Sequence, residues 1–169
     1  MQITMQLENL EAVKRKLEDI EGNITDTAPL MGEIANYLYN ISKDSFDDEK
    51  DTRGNAWTPL SEATKKYKGT SKLLYKEGDM QRGLISESDN DSAKVGITTV
   101  NEDDYFYPMV HQFGADNAGR NKKVKIPQRE FMPITIDGEI YSDVMDTIGE
   151  ITVEFIESGL WNPAVTRLK

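Results

Sequence analysis

Two apolar stripes at helical spacing, one near each end of the chain, constrain this sequence more than any other feature. Leu30, Ile34, Leu38 and Ile41 recur at intervals of three and four, down to Phe46, and Ile140, Val144, Ile148, Ile151 and Phe155 do the same later. Apolar residues at that period share one face of an α-helix, which must be buried against something. The first of these helices is expected to start near Thr27, with Pro29 tolerated in the first turn, where the missing amide has no partner anyway. The last is expected to be capped by Asp137 and to end at Gly159. A shorter pattern, Leu10, Val13, Leu17 and Ile20, predicts a further amphipathic helix closed by Gly22-Asn23.

Between the helices the period changes. Residues 2–7 alternate, with Ile3, Met5 and Leu7 on one side, which predicts a short strand. Gly83–Ser86 and Ala93–Ile97 read as strands joined by the turn-rich Glu87–Asp91, hence a hairpin. Lys123–Ile126 also alternates and is stopped by Pro127. Ser61 can cap a short helix running to about Tyr67. Tyr105, Met109 and Phe113 predict another, kept short by Pro108 and closed by a left-handed Gly114. Residues 47–60, 69–79 and 115–123 read as loops. The expected class is α+β: a small, mostly antiparallel sheet packed against two long helices near the N- and C-terminal ends, plus short helices. A chain of 169 residues has room for one core, assigned to residues 1–158, with 159–169 as a C-terminal tail.

Composition narrows the function. No run approaches the roughly 20 apolar residues of a membrane helix, and Met1–Met5 lacks the basic start of a signal peptide, so no membrane partner is expected. With no cysteine, neither disulfides nor thiolate metal sites can form, and folding in a cytoplasm is the default. A net charge of −10 argues against general or sequence-specific nucleic-acid binding, which needs cations against phosphate. The charge is also segregated. Asp47, Asp48, Glu49 and Asp51 form an acidic run, and Arg120, Lys122, Lys123 and Lys125 a basic one. These runs read either as solvated loops or as separate acidic and basic faces, suited to head-to-tail contact between copies of one protein.

Catalytic patterns are missing. The single histidine, His111, cannot build a histidine-rich zinc site, and no serine is paired with it by any motif. Phosphate-cradling glycine motifs are absent as well. Asp47-x-Glu49-x-Asp51 has the start of a calcium loop, but Thr52 and Thr58 stand where that loop needs a glycine and an acid. No enzyme activity and no cofactor are expected. Trp57 reads either as a plug at the edge of the core or as an anchor on a neighbouring subunit.

Several elements in order resemble one family. Phe46 ends a helix; a polar loop follows with Gly54-x-x-Trp57-x-Pro59-Leu60, then Thr64 and lysines. Next come Leu74, Gly78-Asp79-Met80-x-x-Gly83-Leu84, Val95-Gly96, Val110-His111-Gln112-Phe113-Gly114, and Val124-x-Ile126-Pro127-x-Arg129-x-Phe131. The series resembles the phage virion morphogenesis or tail-completion proteins of contractile-tailed phages related to Mu and P2, over about residues 1–158. It departs at Met80, where the family has leucine, at Glu130, where it has proline, and at Tyr105–Pro108 before the histidine. The resemblance implies a structural protein of tail assembly, a tail-completion or terminator protein that joins head to tail as a homo-oligomeric ring. Its partners would be further copies of itself and phage tail-tube or neck proteins. It would be found in the virion, at the tail or head–tail junction, and in the host cytoplasm during assembly. Trp57, Pro59, Leu60, His111, Gln112, Phe113, Gly114, Arg129 and Phe131 are the candidate structural or interface residues, with Phe113 expected in the core and Arg129 as a clamp or subunit contact. A small acidic inhibitor that mimics DNA charge is the alternative from another class.

Overall fold

The computed structural model describes residues 10–75, 77–98, 107–119 and 121–160. The strand expected over residues 2–7 lies outside them, as do Tyr105, Arg120 and Trp161. Among the described residues, six helices and two antiparallel ribbons make an α+β fold. In order they are α1 (Leu10–Thr25), α2 (Ala28–Asp48), α3 (Glu62–Lys68), α4 (Asp79–Arg82), β1 (Leu84–Ser88), β2 (Ala93–Ile97), α5 (Tyr107–Phe113), β3 (Ala115–Ala118), β4 (Val124–Ile126) and α6 (Ser142–Leu160).

The long helix α2 organises the molecule because its two halves bury different things. Leu30, Ile34 and Leu38 join Val144 of α6 in one apolar cluster, against which Ile140, Ile148, Ile151 and Phe155 also pack. Both expected stripes therefore meet each other. At the C-terminal end, Phe46 enters a second cluster with Trp57, Leu73, Leu74, Met80, Leu84, Ile97 and Phe131. Phe46 stacks on Phe131 with ring centroids 5.0 Å apart and meets the Trp57 ring edge-on at 6.1 Å. Ser42 and Ser45 are buried within α2 but return their hydroxyl protons to the Leu38 and Ile41 carbonyls, so they leave no unsatisfied donor.

The hairpin β1–β2 packs across α2 with Leu84 opposite Ile97. Its turn is closed by Asp89, whose Oδ1 accepts from the Asp91 and Ser92 amides, both at 2.8 Å. The Thr27 hydroxyl donates to the Asn90 carbonyl, tying the start of α2 to this turn. The second ribbon pairs β3 with β4. Residues 115–118, expected as loop, are thus a strand, because the chain doubles back from Lys123–Ile126 and offers their backbone a partner. The described strands form two separate two-stranded ribbons and not one sheet.

The ends of the outer helices also differ from expectation. Helix α1 runs through Gly22-Asn23 to Thr25, whose hydroxyl donates to the Glu21 carbonyl. Asp137 does not cap the last helix. It lies with left-handed Gly138 in a tight turn, where the Thr135 amide donates to the Glu139 carbonyl at 2.8 Å and Ile134 bridges to Ile140. Helix α6 therefore begins at Ser142 and extends past Gly159.

Candidate functional site

The histidine motif and the Pro127–Phe131 segment converge on one cleft. Helix α5 presents Pro108 and Gln112, four residues apart, on its buried face. The Gln112 side chain then behaves as an extra peptide group. Its Oε1 accepts from the Phe131 and Met132 amides, both at 3.0 Å, while its Nε2 donates to the Met132 carbonyl at 2.8 Å. Phe113 does not occupy the core as expected. It is only partly buried and belongs to neither apolar cluster. The buried position on that turn goes to Gln112 because its amide can pair with the passing backbone, which a phenyl ring cannot.

Gly114 follows with φ of 75°. A Cβ there would also meet the Gln128 nitrogen at 3.0 Å and the Ile126 carbonyl at 3.1 Å, so backbone conformation and backbone crowding both require glycine. The chain returns beside it, and the Arg129 amide donates to the His111 carbonyl at 2.8 Å.

Arg129 is buried, and its guanidinium is held by carbonyls: Nε donates to Thr58 at 2.9 Å and Nη2 to Pro59 at 3.5 Å. None of the ion pairs among the described residues involves it. It clamps the 58–60 loop to the 128–131 segment, and burial pushes its pKa down. Leu60 packs against the second cluster beside this clamp. Trp57 is buried, its indole donating to the Glu130 carbonyl at 2.8 Å, so it plugs the core from under its own loop. Phe131 is 2% exposed.

Glu130 is a functional-looking residue that sequence reasoning treated only as a departure. Its carboxylate is buried and accepts from the Tyr141 hydroxyl at 2.7 Å, from Thr52 at 3.3 Å and from Arg53 at 3.5 Å. Arg53 also lies over the Tyr141 ring at 4.5 Å. Burial, with the Glu130 hydrogen bond and charge behind it, pushes the Tyr141 hydroxyl up to about 12. A carboxylate flanked by Arg129 and Phe131 was the available signal, since a charge inside an otherwise buried segment needs partners.

The acidic run is not one free patch. Glu49, left-handed at the end of α2, turns its Oε1 inward to accept from the Leu73 amide at 2.6 Å. Asp51 builds its own loop, accepting from the Arg53 and Asn55 amides and the Asn55 side chain. Partial burial works against its charge, but those donors hold its carboxyl below the usual range. This is the segment with the incomplete calcium-loop spacing, and its carboxylates are engaged by N–H groups. Asp47 and Asp48 are exposed and pair with Lys43 and Lys50. In the basic run, Lys122 and Lys123 are exposed, and Lys125 pairs with Asp116 at 3.0 Å.

The cleft itself has a volume of about 680 Å³. Tyr67 and Lys68 of α3, His111 of α5, Val124 and Ile126 of β4, and Arg129 line it. The His111 Nδ1 is buried without a hydrogen-bond partner. Burial first, then the charges of Arg129 and Lys68, lower its pKa to about 4, so the ring is neutral near pH 7. Ser61 and Thr64 share the cleft, yet their hydroxyls bond each other at 2.8 Å, and Ser61 also accepts from the Thr64 amide to cap α3. Neither is paired with the imidazole. Among the described residues no group of three His, Asp or Glu side chains is placed to hold a metal. The cleft offers shape, an apolar wall, and the cations Lys68, Lys125 and Arg129 together with the carboxylates of Glu77 and Asp79.

The chain is 31% identical over 147 residues to Mu-like prophage FluMu G protein 2 of Haemophilus influenzae, covering 85% of this chain and 94% of that protein. No solved structure matches. The model of the phage virion morphogenesis family matches residues 8–151, which span the cleft, the Trp57 loop, the first long stripe and the second as far as Ile151. The chain belongs to the phage virion morphogenesis family.

Proposed function

We propose that this protein is a structural component of phage tail assembly, a tail-completion or terminator protein that acts as a homo-oligomeric ring at the head–tail junction. Family membership gives the part in virion morphogenesis. One observation supports the finer reading. The polar groups of the motif residues Gln112, Arg129 and Trp57 satisfy the chain's own backbone, leaving a partly apolar cleft with charged walls and the character of a docking surface. The expected partners are further copies of the chain and tail-tube or neck proteins. The test is native mass measurement with negative-stain imaging at high concentration, followed by incubation with tail tubes. A closed ring that seats on tube ends supports the proposal. A strict monomer that leaves the tubes bare overturns it.

A second reading, an acidic inhibitor that mimics DNA charge, is favoured by one feature. Helix α6 carries Asp143, Asp146, Glu150, Glu154 and Glu157 and no basic residue. It predicts tight, salt-sensitive capture of a basic host protein and no self-association.

A further inference from the structure

We propose that the His111–Arg129 cleft of one copy receives helix α6 of a neighbouring copy; this rests on the ring reading and names its interface. Helix α6 has two apolar stripes. One, through Val144, Ile148, Ile151 and Phe155, is taken up inside the chain. The other runs through Met145, Gly149, Val153 and Ile156, again at intervals of four, four and three. Its three large side chains are 49%, 53% and 36% exposed. An amphipathic helix needs only one apolar face to pack on its own domain. A second face, with anchors over three turns, is what helix-in-groove recognition uses.

Gly149 is an independent sign. It sits mid-helix on the exposed stripe, and a Cβ built on it would meet nothing within 4 Å. Glycine in a helix interior is unfavourable relative to alanine, and nothing inside the chain needs the space. A bare spot between Met145 and Val153 lets a neighbouring wall approach the helix backbone closely.

The cleft is complementary in both respects. Tyr67 and Val124 line it and are 82% and 54% exposed, matching the apolar stripe. Lys125, paired with Asp116, and Arg129 line it too, with exposed Lys122 and Lys123 beside Val124, so the β4 side is basic. Lys68 adds a further cation, while Glu77 and Asp79 also belong to the lining. The α6 stripe is flanked by Asp146, Glu150, Glu154 and Glu157, each one residue further around the helix. An acidic-flanked apolar helix face and an apolar cleft with a basic β4 side on one chain favour a heterologous contact, which closes into a ring when the rotation permits. Helix α6 packs on α1 and α2, whereas the cleft is built on α3, α5 and β4. One copy can therefore give with one region and receive with another.

Paired charge reversal tests this in the full chain, with mass measurement as the readout and thermal unfolding as the fold control. Glu150→Lys with Glu154→Lys should weaken association at least tenfold, and Lys123→Glu with Lys125→Glu should do the same. Combining all four substitutions in one chain should restore it. Gly149→Arg should leave a folded protein that no longer associates. If the ring persists through both reversals in folded protein, this interface is wrong while the ring reading stands. If the unsubstituted chain is itself monomeric, both are wrong. If the α6 reversal lowers Tm with the oligomer unchanged, the stripe is covered by the chain's own residues, and the proposal falls.

Discussion

Gln112 shows how one side chain can do the work of a strand. It closes three backbone hydrogen bonds to Phe131 and Met132, in a region where Phe131 is fully enclosed. Gln112→Leu keeps the volume but strands the buried Phe131 amide and the partly buried Met132 amide, while the Met132 carbonyl keeps the Ile134 amide, so it should cost about 2–5 kcal/mol in urea unfolding. Gln112→Glu keeps the acceptor and loses the donor, so it should fall between. Gly114→Ala should also destabilise strongly, by roughly 2–4 kcal/mol, since the methyl meets backbone atoms and not a side chain that could turn away. His111 makes a prediction with a sign. The unfolded chain takes up its proton near about 6.5, whereas the folded chain resists until about 4. Between those values the unfolded state binds more protons, so stability is lost as pH falls through that window, by on the order of 3 kcal/mol in full. His111→Leu should flatten that part of the Tm–pH curve while leaving neutral-pH stability intact. An unchanged slope in the variant would remove His111 from the account. The sequence made His-Gln-Phe-Gly visible as a unit and identified Gly114 as the turn. It misassigned Phe113 because apolar character is all that periodicity weighs, and a glutamine standing in for a peptide bond is a property of what passes beside it.

At the scale of elements, legibility followed local repetition. The paired stripes of α2 and α6, the Ser61 cap and the β1–β2 hairpin all rest on patterns contained within their own segments. The failures share a different cause. Strand β3 exists because β4 returns beside it. Asp137 looked like a helix cap until the Ile134–Ile140 bridge made it part of a turn. Helix α2 carries the largest mechanical role, since it is common to both apolar clusters. Leu38→Ala should open a cavity where α2 meets α6 and cost about 2–5 kcal/mol. Hydrogen exchange should show the loss in α6 and in the hairpin together, because both lean on the same helix. Protection lost in α6 alone would mean that the clusters unfold independently.

For the whole molecule, charge is arranged by region, and that arrangement should govern self-association. An interface built from α6 carboxylates and cleft lysines is screened by salt, with a Debye length of about 10 Å at 0.1 M. The association constant should therefore fall as sodium chloride is raised, mostly through the on-rate. Sedimentation at several ionic strengths checks this, and association that strengthens with salt would point to an apolar contact alone. The net charge was legible in composition, but its placement was not, since Glu49 and Asp51 lie in the acidic run, yet Glu49 turns inward to the Leu73 amide and Asp51 is taken up by its own loop. The long reach of the clamps carries a further consequence. Arg129 is held by carbonyls 71 and 70 positions earlier, and the Trp57 indole by a carbonyl 73 positions later. During translation, at about 5–20 residues per second, the 57–60 loop must wait several seconds for the segment that fastens it. A nascent chain thus has no finished cleft wall until Arg129 has left the ribosome.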